Sequence, residues 1–201
     1  MVRKPKPSGR ERKEDLKDSA TTILIVCEGE KTEVGYFKGL IDKLEIKKTT
    51  RIRVEGHGET PLTVVDRAIN EKRNNIHGIE YDETWCVFDR DQHPKVPEAR
   101  KKAKDNGLKV AYSCPCFEFW YLLHFEQTTK PHNKCAGVIR LLKKDYIQDY
   151  GKGKCCIDLL FPHTQTAIKN ASYVRKHECD EPSTDVDKLV VMLLEEKKKR
   201  S

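Results

Sequence analysis

Two apolar runs in this chain end in acid. Glu28 directly follows Ile23–Cys27 in "ILIVCEGEKTE", and Asp89 and Asp91 flank Arg90 at the end of "TWCVFDRD". An acidic strand end beside a loop is common, and Asp-x-Asp alone is a frequent chance pattern. The weight lies in the combination of Glu-Gly after one buried strand with Asp-x-Asp after another. Three carboxylates in one small volume repel, so they share protons, take raised pKa values or hold a divalent cation. Oxygen-only ligands favour Mg²⁺ or Mn²⁺. Mg²⁺ keeps several waters and takes one or two carboxylates plus a phosphate, so the implied substrate class is a phosphate ester.

A fourth acid, Glu118, lies in "CFEFWYLL" among residues that otherwise want burial. It reads either as a further ligand for a second metal ion or as an acid at a helix start, bonded to backbone amides. Lys31 and Arg90 sit beside the acids and suit contacts to phosphate, or ion pairs with those acids. Glu33 reads as charge complementing a helix dipole, while Glu30 stays ambiguous. His124 reads as a core histidine. Phe117, Phe119, Trp120 and Tyr121 read as core rather than as a platform for bases. "GHGET" at 56–60 has too few glycines for a phosphate loop.

Positioning these residues is a matter of alternating elements. Ile23–Cys27 is a continuous apolar run, suited to a strand covered on both faces. From Lys31, the residues Val34, Phe37, Leu40, Ile41 and Leu44 recur at helical spacing. A short strand is expected around Arg51–Val54. A helix follows, with Thr60 as N-cap and Pro61 at its first position. "TWCVFDRD" is a third strand, and "VPEARKKAKDNG" a helix stopped by Asn106-Gly107. "LKVAYS" is a fourth strand, and "PCFEFWYLLHFE" a helix with Ser113 as cap. Such alternation gives βαβ units and a mainly parallel four-stranded sheet flanked by helices. Strand order 2-1-3-4 brings Glu28, Asp89 and Asp91 together at the switch point, where α/β sheets bind ligands. Residues 131–201 read as a helical extension (about 132–148, 162–178 and 184–200) on the α/β unit of 21–130. The last helix docks through Val186, Leu189, Val190, Leu193 and Leu194. Residues 1–20, charged and nearly free of large apolar side chains, read as a disordered basic arm.

The composition sets limits. Of 201 residues, 35% are charged, and Lys and Arg exceed Asp and Glu by 39 to 32, for a net charge of +7. A mean hydropathy of −0.73 calls for a compact core under a solvated surface. The basic balance permits nucleic-acid contact without requiring it. No window approaches the roughly 18 consecutive apolar residues of a membrane span, and the N-terminus lacks the apolar core of a signal peptide. A cytoplasmic location with no membrane partner is therefore expected. The eight cysteines offer only Cys114-Pro-Cys116 and Cys155-Cys156 as close pairs for a metal knuckle. Buried reduced thiols are the first expectation, and a disulfide is the last for such a compartment.

Strand-Glu-Gly followed by strand-Asp-x-Asp resembles the Toprim domain of topoisomerases, primases and OLD-family nucleases. More specifically, "LIVCEGEKTEVGYFKGL", "WCVFDRDQHP", "AYSCPCFEFWYLLHFE" and "PSTDVDKLV" resemble the RloB family. These are small prokaryotic Toprim-like proteins encoded beside AAA/ABC-type ATPases in restriction and antiphage loci. The resemblance implies a Toprim-like Rossmannoid fold and a Mg²⁺-dependent phosphoryl-transfer site, with Asp89 and Asp91 as metal ligands. Glu28 becomes the general acid/base or a further ligand, and Glu118 the counterpart of the extra acid of OLD-like nucleases. The expected activity is nuclease action on DNA or RNA, tRNA included, in antiphage defence, controlled by a partner ATPase. Alternatives are a non-catalytic sensor or scaffold binding nucleic acid or the ATPase, and a phosphoryl transferase acting on nucleotides.

Overall fold

The computed structural model describes the chain except residues 1–19, 49, 59, 75–77, 91–93, 133, 155, 178–180 and 200–201. The expected basic arm thus lies almost wholly outside the described residues. Four strands, β1 (Thr22–Cys27), β2 (Arg51–Gly56), β3 (Glu83–Asp89) and β4 (Lys109–Cys114), pair in parallel. A fifth, β5 (Ser183–Thr184), adds antiparallel to β4, giving the order β2-β1-β3-β4-β5. The architecture is the expected mixed α/β one, widened by one short edge strand. A two-residue strand carries no alternation, so no sequence period marks it.

The sheet is covered on both faces because its central strands are apolar on both. Ile23, Ile25 and Cys27 of β1 point one way with Trp85 and Val87 of β3, into the larger core cluster. Leu24 and Val26 point the other way with Cys86 and Phe88. Helices α2 (Pro61–Asn74) and α3 (Val96–Asp105) cover this second face through Val64, Val65, Ala68, Ala99 and Ala103. Asn106-Gly107 stops α3 as expected: Gly107 has φ +64, and the Leu108 amide reaches back to Ala103 O at 2.9 Å.

Helix α1 (Thr32–Leu44) covers the first face, followed by α4 (Glu118–Leu122), α5 (Cys135–Leu141, continued by one π turn), α6 (Ile157–Leu160), α7 (Thr164–Lys176) and α8 (Val186–Lys198). All contribute to one cluster with the sheet, so the C-terminal extension shares the core of the α/β unit. Val186, Leu189, Val190 and Leu193 of α8 are buried as the spacing predicts, and Leu194 is partly so. Helix α4 is shorter than its apolar sequence suggests. Ser113 does not cap it: the residue is buried in β4, its hydroxyl 3.0 Å from that of Thr184 in β5.

Beneath α1 and α4, Phe117, Phe119, Trp120 and Tyr121 are fully buried, each worth about 1.5–3 kcal/mol by removal from water. His124 joins them as a core residue. Its Nδ1–H donates to Trp120 O at 2.9 Å, and its ring packs edge-on to Trp120 and Tyr36. The far edge of the sheet is held by Arg175 of α7. Its guanidinium bonds both carboxylate oxygens of the buried Asp187, at 2.5 and 2.6 Å, and the carbonyl of Thr184 at 2.6 Å. This single fork ties α7, β5 and α8 together.

Two predictions follow from these contacts. Asp187→Ala leaves the Arg175 charge part-buried and unpaired, so urea denaturation should show a loss of about 3 kcal/mol. The double variant Arg175→Met/Asp187→Leu should lose less than the single one; equal losses would mean that the pair's charge is irrelevant. The second concerns His124, whose ring burial pushes down to about 4 from 6.5. Between those values the unfolded chain takes up a proton that the folded chain refuses. Stability is therefore intact above about pH 6.5 and falls towards pH 4, by on the order of 3 kcal/mol. His124→Asn, whose Nδ2 still reaches the Trp120 carbonyl, should flatten that acid-side loss in denaturation series between pH 7 and 4.

Candidate functional site

The carboxyl ends of β1 and β3 lie side by side, and pairing continues past the strands. The Glu28 amide donates to Val87 O at 2.8 Å, and the Asp89 amide donates to Glu28 Oε2 at 3.1 Å. The two acids that the sequence places 61 positions apart are thus joined through one main-chain hydrogen bond. A cavity of about 570 Å³ opens here, lined by Glu28, Glu30, Glu33, Asp89 and Glu118, with Lys31 and Lys152 as its cations.

Two glycines permit this geometry. A Cβ on Gly56, at the end of β2, would sit on the carbonyl oxygen of Gly29. The turn after β1 therefore crosses the end of β2 at a distance that only glycine allows. On its other side, a Cβ on Gly29 would occupy the space of the Glu33 carboxylate. The segment 56–60 also reaches the site, with Gly58 and Thr60 lining the cavity.

Like charges crowd this space. Burial, then the nearby Glu33, Glu118 and Glu28, hold the Asp89 carboxyl well above the usual carboxylate range, with the Phe117 amide as a partial offset. Its Oδ1 is out of reach of solvent and has no hydrogen-bond partner. Glu33 is raised by its own burial and then by Glu118 and Glu28. Glu118 opens α4 with one carboxylate oxygen held by a hydroxyl and the other against a sulfur. Tyr150 Oη donates to Oε1 at 2.7 Å, and Cys135 Sγ lies 3.3 Å from Oε2.

The structure sorts the residues singled out by sequence. Glu28, Asp89, Glu118 and Lys31 meet at the cavity. Asp91 lies outside the described residues. Arg90, the residue just after β3, turns the other way: its guanidinium contacts Cys114 Sγ at 3.7 Å and pairs with Glu181. It does not line the cavity.

Glu33 extends the sequence expectation. It does stand in the first turn of α1, as the dipole reading expects, but it is only 7% exposed and also belongs to the carboxylate cluster. The signal was present, because Glu33 stands in register with Tyr36, Phe37, Leu40, Ile41 and Leu44 on the buried stripe of α1. Tyr150 and Lys152 come from a loop whose sequence marks nothing. They reach the site because the Gly153 amide faces Thr32 Oγ1 at 3.4 Å.

The cysteines also differ from expectation. Cys27, Cys86, Cys114 and Cys156 are buried and outside any disulfide, but Cys116 pairs with Cys135 in a disulfide, Cα atoms 5.5 Å apart. The pairing runs between the start of α4 and the start of α5, not through the adjacent cysteines of "CPC". Cys155 and Cys179 lie outside the described residues.

Glu28, Glu33, Asp89 and Glu118 are oxygen donors at this cavity, the side-chain type that a hard divalent cation takes, and Lys31 and Lys152 add nitrogen groups at its wall. The geometry makes one prediction about its scaffold. Gly56→Ala pushes the Gly29 carbonyl and displaces Glu28, so urea denaturation should show a loss of a few kcal/mol. An unchanged midpoint would show that the turn is not held against β2.

No curated protein and no solved structure matches this chain. Among the described residues no helix is long and apolar enough to cross a membrane. The match that does exist spans the chain from the buried part of β1 to the buried face of α8: residues 23–193 match the RloB-like protein family, and the chain belongs to it.

Proposed function

We propose that the protein hydrolyses phosphodiester bonds in nucleic acid with Mg²⁺ or Mn²⁺ at the Glu28–Glu33–Asp89–Glu118 cavity. One observation carries this reading: carboxylates from three separate elements converge on a single cavity at the sheet's switch point, with an unsatisfied Asp89 oxygen among them. A bound divalent ion would neutralise this cluster and polarise a phosphate oxygen.

The residues divide the work. Asp89 and Glu118 offer their carboxylates as ligands, with Glu118 oriented by the Tyr150 hydroxyl. Glu28 accepts the Asp89 amide on Oε2, which fixes the carboxylate beside Asp89, where it serves as the acceptor for the proton of an attacking water. Glu33 completes the cluster from the first turn of α1. Lys31 and Lys152 stand at the cavity wall, where they attract a phosphodiester and offset its charge in the transition state. A net charge of +7 favours a polyanionic substrate, whether DNA, RNA or tRNA. Control by a AAA/ABC-type ATPase and a role in antiphage defence belong to the same proposal, on the strength of the RloB resemblance.

The protein should be incubated with Mg²⁺ or Mn²⁺ and DNA, RNA or tRNA, alone and with its ATPase. Cleavage is expected in at least one arm, with Asp89→Asn and Glu28→Gln each reducing it about 10²–10⁴-fold. Lys152→Ala is expected to raise KM more than it lowers kcat. Calorimetry should show Mg²⁺ or Mn²⁺ binding that Asp89→Asn weakens at least about tenfold. Cleavage that survives both carboxylate substitutions would overturn the mechanism. Absence of cleavage in every arm, with metal binding intact, would favour the sensor or scaffold instead.

A further inference from the structure

Glu118 has a second face. Its Oε2 lies 3.3 Å from Cys135 Sγ, and the sulfurs of Cys116 and Cys135 and a Glu118 oxygen all lie within 4.8 Å of one another. Two sulfurs and one carboxylate are a donor set for a softer ion than the carboxylates of the cavity. As a disulfide the sulfurs do not ligate; as thiolates they do. We propose that the reduced protein holds a Zn²⁺ ion between Cys116, Cys135 and Glu118, and that oxidation to the disulfide abolishes this site.

The dimensions support it. With Zn–S bonds of about 2.3 Å in a tetrahedron, two ligand sulfurs stand about 3.8 Å apart. The Cα atoms are already 5.5 Å apart, so side-chain rotation suffices to open the sulfur pair. A carboxylate oxygen and a sulfur on one Zn²⁺ stand about 3.5 Å apart, close to the observed 3.3 Å. Tyr150 Oη, bonded to the other oxygen at 2.7 Å, orients the carboxylate as an outer-shell group does at known zinc sites. Cys116 and Glu118 are both buried, which shields the centre, and a water completes the fourth position.

The chemistry balances. A dithiol reductant supplies two electrons and two protons to the Cys116–Cys135 bond and is itself oxidised to a disulfide. Zn²⁺ then displaces the two thiol protons. Because Glu118 also lines the carboxylate cavity, zinc held on the sulfur side draws on a side chain shared with that site. This last consequence rests on the proposed function, whereas the zinc site itself does not.

The test compares the full chain reduced with a phosphine and the same chain oxidised. After gel filtration with Zn²⁺, the reduced protein is expected to carry one equivalent of zinc by atomic emission, and the oxidised protein none. Co²⁺ in place of zinc should give thiolate charge-transfer absorption in the reduced form alone. Cys116→Ser/Cys135→Ser should lose the zinc, and Glu118→Gln should bind it at least about tenfold more weakly. The oxidised wild type guards against a serine variant that fails to fold, since its sequence is unchanged. Asp89→Asn disables the carboxylate cavity and should retain the full equivalent of zinc, which separates this test from that of the nuclease. Reduced protein without stoichiometric zinc, or zinc retained by the double serine variant, would overturn the proposal.

Discussion

Carboxylates gathered in a poorly solvated cavity repel one another, and each carries the cost of leaving water. The rest of this structure is arranged around that cost. Main-chain amides meet part of it: Asp89 N–H is donated to Glu28, and the Phe117 amide to Asp89. The Tyr150 hydroxyl meets another part at Glu118. What remains is the raised protonation of Asp89 and Glu33 and an oxygen with no partner. A fold that maintains such a cluster at the open edge of its sheet keeps an electrostatic demand for positive charge.

The two faces of the sheet divide their roles accordingly. The α2–α3 face is a plain apolar layer. The opposite face carries α1 and α4, whose first turns deliver Glu33 and Glu118, and then the C-terminal helices that enclose them. The extension is therefore part of the site: its loop at 150–153 supplies Tyr150 and Lys152. It is anchored at the far edge of the sheet by β5 and the Arg175–Asp187 fork. The motif "PSTDVDKLV" gains a physical meaning here, since Ser183 and Thr184 form the strand and Asp187 the buried half of the ion pair.

Much of this was legible before any coordinates. Apolar runs on both faces of β1 and β3, and the helical spacing of Val34 to Leu44, fixed the α/β alternation because those periods are local. Glu28 and Asp89 were identifiable because acids directly after buried strands break the apolar pattern. Glu33 complements the dipole from the first turn of α1, but that position does not make its burial legible, because such a charge looks the same in sequence whether it faces solvent or turns inward. Arg90 shows the opposite failure. It directly follows the last residue of β3, and successive residues of extended chain point to opposite sides, so closeness to Asp89 in sequence separates it from the cavity in space.

By itself the sequence determined the order of strands and helices, the parallel sheet and the acids at its carboxyl edge, since these depend on patterns spanning four to twelve residues. The tertiary structure alone decided what those acids touch. The passage of Gly29 over Gly56, the return of the 150–153 loop onto Thr32 and Glu118, the joining of Cys116 to Cys135 and the addition of β5 are all contacts between distant segments. No local period encodes them, because they arise only when the helices have packed onto one face of the sheet and brought those segments within bonding distance.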